Sequence, residues 1–253
     1  LRFVRDHRIK DIDEPKFLNE SALEFPGTAI SSLENETIYL FKNAIYEIVT
    51  HALNMHRSDI SSDLKPKELI KKSTKEIDID VRDLYAHKVK TIYGKILEFA
   101  TRTQTELEMN KAQNKRILEI KIANRKMVEV IRDVKELRRN VNKYTYSENR
   151  YIKKEYNGFR KQIVKVLRAI YTFKIDDNRE QSYNELVNMR KKAKERSKRG
   201  SNHINSLIRK NLISTNMASS VVNDHYNVND IIKKLIEVGQ LLYTEKDSIL
   251  EAN

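Results

Sequence analysis

Two carboxylates four residues apart, Glu129 and Asp133, are the side chains of this sequence best spaced to hold a ligand. A helix turning 100° per residue puts both on one face, continued by Glu136 and Asn140. That face lies roughly opposite the apolar stripe Ile117, Ile120, Met127, Ile131 and Val134. The pair is therefore expected to project from the surface. There it could take a hard cation, or it could pair with Arg125, Arg132 or Lys135 along its own helix. Two other polar residues, Asn124 and Asp224, each interrupt an otherwise apolar seam. A polar group in such a seam costs stability and fixes register. The carboxylate of Asp224 must find a partner or become neutral. Candidates are Arg196, Lys198 and His203 on the neighbouring helix, and a structural hydrogen bond is the reading preferred for both residues.

A second chemistry is suggested by charge. The chain carries a formal +13, and most of it is regional. Residues 138–168 hold ten Lys/Arg against two acids, and residues 190–210 hold nine against one. The helix with Arg190, Lys191, Lys192, Lys194, Arg196, Lys198 and Arg199 reads either as a solvated face or as a surface for lipid headgroups, phosphate or nucleic acid.

Catalytic patterns find little support. There is no cysteine, no Gly-x-Ser-x-Gly elbow, no Gly-rich phosphate loop and no His-Glu-x-x-His pair. The six histidines are scattered over different segments and read as surface or packing residues, so an enzyme is not expected.

The elements that must position these residues are helices. Charged residues make up 34% of the chain, while five glycines and three prolines leave little punctuation for a sheet. Helices are expected over about 28–56, 80–105, 111–144, 147–173, 181–211 and 214–244, with a connector at 59–75 and a polar break at 176–179. The clearest seam is Ile152, Tyr156, Phe159, Ile163, Val166, Ile170 and Phe173, whose steps alternate four and three. Ser147 is the expected N-cap of that helix. Met217, Val221, Asp224, Val228, Ile231, Leu235, Val238 and Leu242 repeat about a hundred residues on what the seam around Asn124 does. Gly200 and the polar stretch around it leave the fifth helix partly exposed or kinked. The expected architecture is all-α: a strap at 1–27, held by Phe17, Leu18, Leu23 and Phe25, then three-helix sets at 28–145 and 146–253. No apolar run of membrane-spanning length occurs, and the chain reads as a piece of a longer protein.

The whole chain resembles the PhoU-like domain that follows the membrane part of bacterial sodium/phosphate symporters. Pro15-Lys16-Phe17-Leu18-Asn19 is similar to the family's opening, and Pro26-Gly27-Thr28-Ala29-Ile30 to its first helix entry. Ala123 to Val134 resembles its third helix, Glu148-Asn149 with Ile152 to Arg168 its fourth, and Asn223-Asp224 its last. The resemblance implies two tandem antiparallel three-helix bundles, elongated, on the cytoplasmic side of the inner membrane. It also implies surface Glu-x-x-x-Asp motifs that hold metal clusters, a pattern Glu129 and Asp133 match. Leu137 departs from it four positions on, and the second set offers Asn223 and Asn227 in place of a Glu/Asp pair. The expectation is one divalent or iron-type ion, or none.

Together these features imply a regulatory domain of a sodium-dependent phosphate transporter, with the membrane part of the same chain as partner. Anionic lipid and a second copy of the chain are further partners to consider. The alternatives are a basic helical nucleic-acid-binding protein and a free-standing helical adaptor. No helix-turn-helix signature or aromatic stacking platform accompanies the charge, so nucleic acid is not expected.

Overall fold

A computed structural model describes residues 14–175 and 178–243, without the side chains at 175, 179, 198, 199 and 201. Every regular element among them is helical. Helix α1 (Pro26–Leu40) starts with a proline at its first position, where no intrahelical N–H is needed. It runs through a π-helical turn, Phe41–Ile45, into α2 (Tyr46–Ala52). The rod ends at Asn54, whose φ of 57° lies in the left-handed region that asparagine tolerates. The connector contains the short α3 (Pro66–Lys72). Next come α4 (Val81–Leu84), a second π-helical stretch Tyr85–Lys90, and α5 (Thr91–Glu106). Asp80 caps α4 by accepting from the amides of Arg82 and Asp83.

Four long rods follow. α6 (Lys111–Thr145) opens with a reciprocal capping box between Asn110 and Gln113 and is about 50 Å long. α7 (Arg150–Ile175) is capped by Asn149, whose Oδ1 accepts from Tyr151 and Ile152. The expected cap, Ser147, instead accepts the amide of Asn149. α8 spans Arg179–Arg209 and α9 spans Thr215–Tyr243.

Burial follows the apolar stripes. All seven residues of the α7 seam are buried, as are Ile30, Leu33, Phe41, Ala44 and Ile48 in the first rod. α1 packs on α5 and α6, α7 packs on α8 and α9, and the extensive α6–α9 contact joins the two sets into one continuous core. α8 is not broken at Gly200. A Cβ there would stand 2.8 Å from the His225 ring, so the glycine is what lets α8 lie close against α9. Gly239 plays the same part against Ile170, where a Cβ would meet the side chain at 3.0 Å.

The strap is held differently from expectation. Phe25 is 64% exposed, and Phe17 only edges against Tyr39. Leu23 is buried, and the buried carboxylate of Glu36 accepts the amides of Lys16 and Phe17 at 2.8 and 2.7 Å.

Two arginines counted with the basic surface are in fact internal staples. Arg160, fully buried in α7, donates to the carbonyls of Leu53, Asn54 and Ser73. Arg168 donates to the carbonyls of Leu64 and Asp59 and to Ser62 Oγ. The connector has few backbone partners of its own, and guanidinium forks from the other half supply the missing donors. Burial pulls the Arg160 pKa down to about 10, which still leaves it charged at neutral pH. Arg160→Met is expected to cost about 2–4 kcal/mol, because three carbonyls lose their donor. Arg160→Lys should recover only part, and urea unfolding of the three proteins measures both.

Candidate functional site

Polar groups concentrate along the α6–α9 interface, where they form a ladder. Arg116, itself buried, donates Nε to Glu34 at 2.6 Å and Nη1 to the Leu241 carbonyl at 2.7 Å. Next, Lys126 meets Glu237 at 2.5 Å. Lys234 Nζ lies 2.5 Å from Asp133 Oδ2, and Asn227 donates to the Asp133 carbonyl at 3.0 Å. Asn140 donates to Asp224 Oδ2 at 2.8 Å, and Tyr144 and Ser220 hydroxyls are 3.4 Å apart. As the α6 number climbs from 116 to 144, the α9 partner falls from 241 to 220. The two helices therefore run antiparallel.

Glu129 and Asp133 thus do not project from the surface. Their side chains are 24% and 14% exposed and face α9. The expectation failed because α6 is packed on two sides. Asn124 faces α1, donating to Thr37 Oγ1 at 2.8 Å, so the face opposite that seam is a second interface rather than solvent. Arg125 pairs with Glu129 at 3.0 Å as one of the residue-level alternatives allowed, while Lys234 Nζ reaches Glu129 Oε2 at 3.8 Å. Burial raises the Glu129 pKa, but Arg125, Lys234 and Lys126 outweigh it and hold the carboxyl below the usual range. The ammonium of Lys234 occupies the position a shared cation would need. No group of three or more His, Asp or Glu side chains gathers as a metal site among the described residues. The pair as arranged does not fit a metal without displacement of Lys234.

Asp224 is buried, and its partners are not the ones expected. Tyr156 donates its hydroxyl to Oδ2 at 2.6 Å, beside the amide of Asn140. Burial raises the Asp224 pKa, against the opposing effects of Tyr156 and then Asn140. Burial and the adjacent carboxylate push the Tyr156 pKa upward, so the phenol keeps its proton. The signal for this bond was in the sequence: Tyr156 is the one polar tip in the α7 seam, as Asp224 is in the α9 seam. His203 pairs instead with Glu155 at 3.3 Å. His225 lies 3.8 Å from the same carboxylate and is shifted down by burial and then by His203.

The basic residues separate into two groups. Lys191, Lys192, Lys194 and Arg196 are exposed on α8 and have no acidic partner among the described residues. Arg190 is tied to Glu237 at 3.1 Å, and the side chains of Lys198 and Arg199 lie outside the described residues. In 138–168, Arg138, Arg160 and Arg168 turn inward, Arg138 to the carbonyls of His51 and Ile77. Arg139, Lys143, Arg150, Lys153, Lys154 and Lys165 remain exposed. A cleft of about 820 Å³ beside the connector carries both signs, with Lys72, Lys75 and Lys88 facing Glu76, Asp80 and Asp83.

No protein-family model, curated protein or solved structure matches this chain. Its reading therefore rests on its own geometry.

Two outcomes test the ladder. The folded-state pKa of Asp224 lies above its unfolded value, so its contribution to stability is greatest below about pH 4 and is lost as pH rises through the folded value. Asp224→Asn should therefore gain on the parent as pH increases from 4 to 7 in thermal melts. Lys234→Ala should cost about 1–3 kcal/mol by leaving two half-buried carboxylates without their ammonium. Millimolar Mn²⁺ should restore part of that loss, and should not do so in Lys234→Ala/Asp133→Asn.

Proposed function

We propose that this chain is a PhoU-like regulatory domain of a sodium-dependent phosphate transporter, acting by docking rather than by catalysis. In this reading the two helical sets, 28–145 and 146–253, are tandem three-helix bundles of the PhoU type on the cytoplasmic side of the inner membrane. The support is architectural first. The three rods of each half pack on one another, and the most extensive contact between the halves is that of their third rods. No helix among the described residues is long and apolar enough to cross a membrane, which suits a domain that docks on a membrane partner.

The observation that carries the docking role is the outer face of α8. Lys191, Lys192, Lys194 and Arg196 are exposed and have no ion pair among the described residues, whereas Lys126 and Lys234 of the α6–α9 ladder are paired. Near anionic lipid each such cation is worth about 1 kcal/mol, and cytoplasmic flanks of membrane proteins favour Lys and Arg. Tethered to a transporter, this face would settle against the inner leaflet and bias the conformational equilibrium of the membrane part.

Vesicle flotation tests the proposal. The chain is expected to float with phosphatidylglycerol vesicles, to release in 0.5 M salt and to stay behind with neutral vesicles. Replacing Lys191, Lys192, Lys194 and Arg196 together by Gln should abolish flotation without lowering the melting temperature. Equal flotation with neutral and anionic vesicles would sink it. A salt-sensitive shift with duplex DNA that the same variant abolishes would favour nucleic acid instead.

A further inference from the structure

A second cavity differs in kind from the mixed-sign cleft. It has a volume of about 430 Å³ and lies where the first rod, the start of the connector, the end of α7 and the end of α9 come together. Lys42 and Lys174 enter it from opposite halves of the molecule, and Arg57 enters from the connector. Among the described residues no carboxylate lines it, and none of these three cations has an acidic partner. Arg57 donates Nη1 to Asn43 at 3.1 Å, a neutral partner that orients the guanidinium and leaves its charge in place. Ser58 and Ser61 add hydroxyls to the same wall.

Three cations turned toward one space repel one another, and the fold shows the cost. Burial, then contact with Lys174, then the charge of Arg57 pull the Lys42 pKa down to about 8. The local backbone turns one of these side chains inward. Lys42 sits in the π-helical turn closed by the Tyr46 amide on the Phe41 carbonyl. Such widened turns shift side chains out of the regular helical register and recur at functional sites.

We infer that this cavity binds a phosphate group, held by Lys42, Arg57 and Lys174 with hydroxyls from Ser58 and Ser61. A dianion with three acceptor oxygens matches three cations and flanking donors in both charge and geometry. The volume exceeds what the phosphate alone fills. The remaining wall is Ile60, Ile170 and the rings of Tyr46, Tyr171 and Tyr243, which suits the organic part of a phosphate monoester. Because the cations come from both halves, occupancy clamps the first rod to α7. The site does not depend on the transporter reading, since every residue in it belongs to this chain.

Titration calorimetry in low-chloride buffer at pH 7.5 tests the inference with three probes. Inorganic phosphate reads the free anion, phenyl phosphate a soluble monoester, and phosphatidic acid vesicles, against phosphatidylcholine, a lipid headgroup. Saturable binding of any one is expected to weaken at least tenfold in Lys42→Gln and in Lys174→Gln, and the tightest probe names the source. Without ligand, both variants should melt above the parent, because each relieves like-charge repulsion. A purely structural role would lower those melting temperatures. The parent's affinity is expected to decline above pH 8 as Lys42 loses its proton, and Lys42→Arg should keep binding and remove that decline. The other groups facing Lys42 there are Lys174, Arg57, Tyr46, Tyr171 and Tyr243; Tyr46 and Tyr243 are shifted up by burial and keep their protons over that range. No binding of any probe, or binding that both Gln variants leave unchanged, would overturn the site.

Discussion

The antiparallel contact of α6 with α9 is the constraint on which the rest of the molecule depends. Each helix is the third rod of its set and packs there against the other two, so the interface between them joins two cores rather than two surfaces. Apolar packing alone would leave the register of two long rods weakly defined. The polar rungs from Arg116–Leu241 to Asn140–Asp224 supply it, because a shift of one turn would strand several half-buried charges at once. Arg116 extends that register to α1 through Glu34, and Tyr156 extends it to α7 through Asp224.

How far the sequence could be read follows from what each signal encodes. Helical periodicity is local, and it locates the long rods to within a few residues; the seven seam residues from Ile152 to Phe173 lie in the core as their spacing requires. Which face of a helix is a surface is not local. A single apolar stripe implies one buried side and so puts Glu129 and Asp133 in solvent, but α6 has two buried sides. Arg160 and Arg168 could not be told from solvated cations, since their partners are carbonyls of a connector far away in sequence, and carbonyls leave no mark on residue type. The π-helical turns at Phe41–Ile45 and Tyr85–Lys90 were also invisible, because one extra residue in a turn changes the phase of a stripe without changing its composition.

Charge has three separate uses in this chain, although the sequence presents it as a single excess. In the α6–α9 ladder, cations meet carboxylates and set register. Against the connector, guanidiniums meet carbonyls and replace missing secondary structure. On α8 and in the cavity around Lys42, cations meet no carboxylate among the described residues. Only the third use leaves electrostatic free energy available for an outside partner.

The stapling of the connector by Arg160 and Arg168 also decides where this chain can be divided. By helix count, the turn between α6 and α7 is the natural boundary between two domains. A cut there would separate the carbonyls of Leu53, Asn54, Asp59, Leu64 and Ser73 from the guanidiniums that donate to them, and would expose the α9 side of α6. Neither fragment would inherit a complete set of backbone partners. The two helical sets therefore share backbone partners across the α6–α7 turn as well as a continuous core.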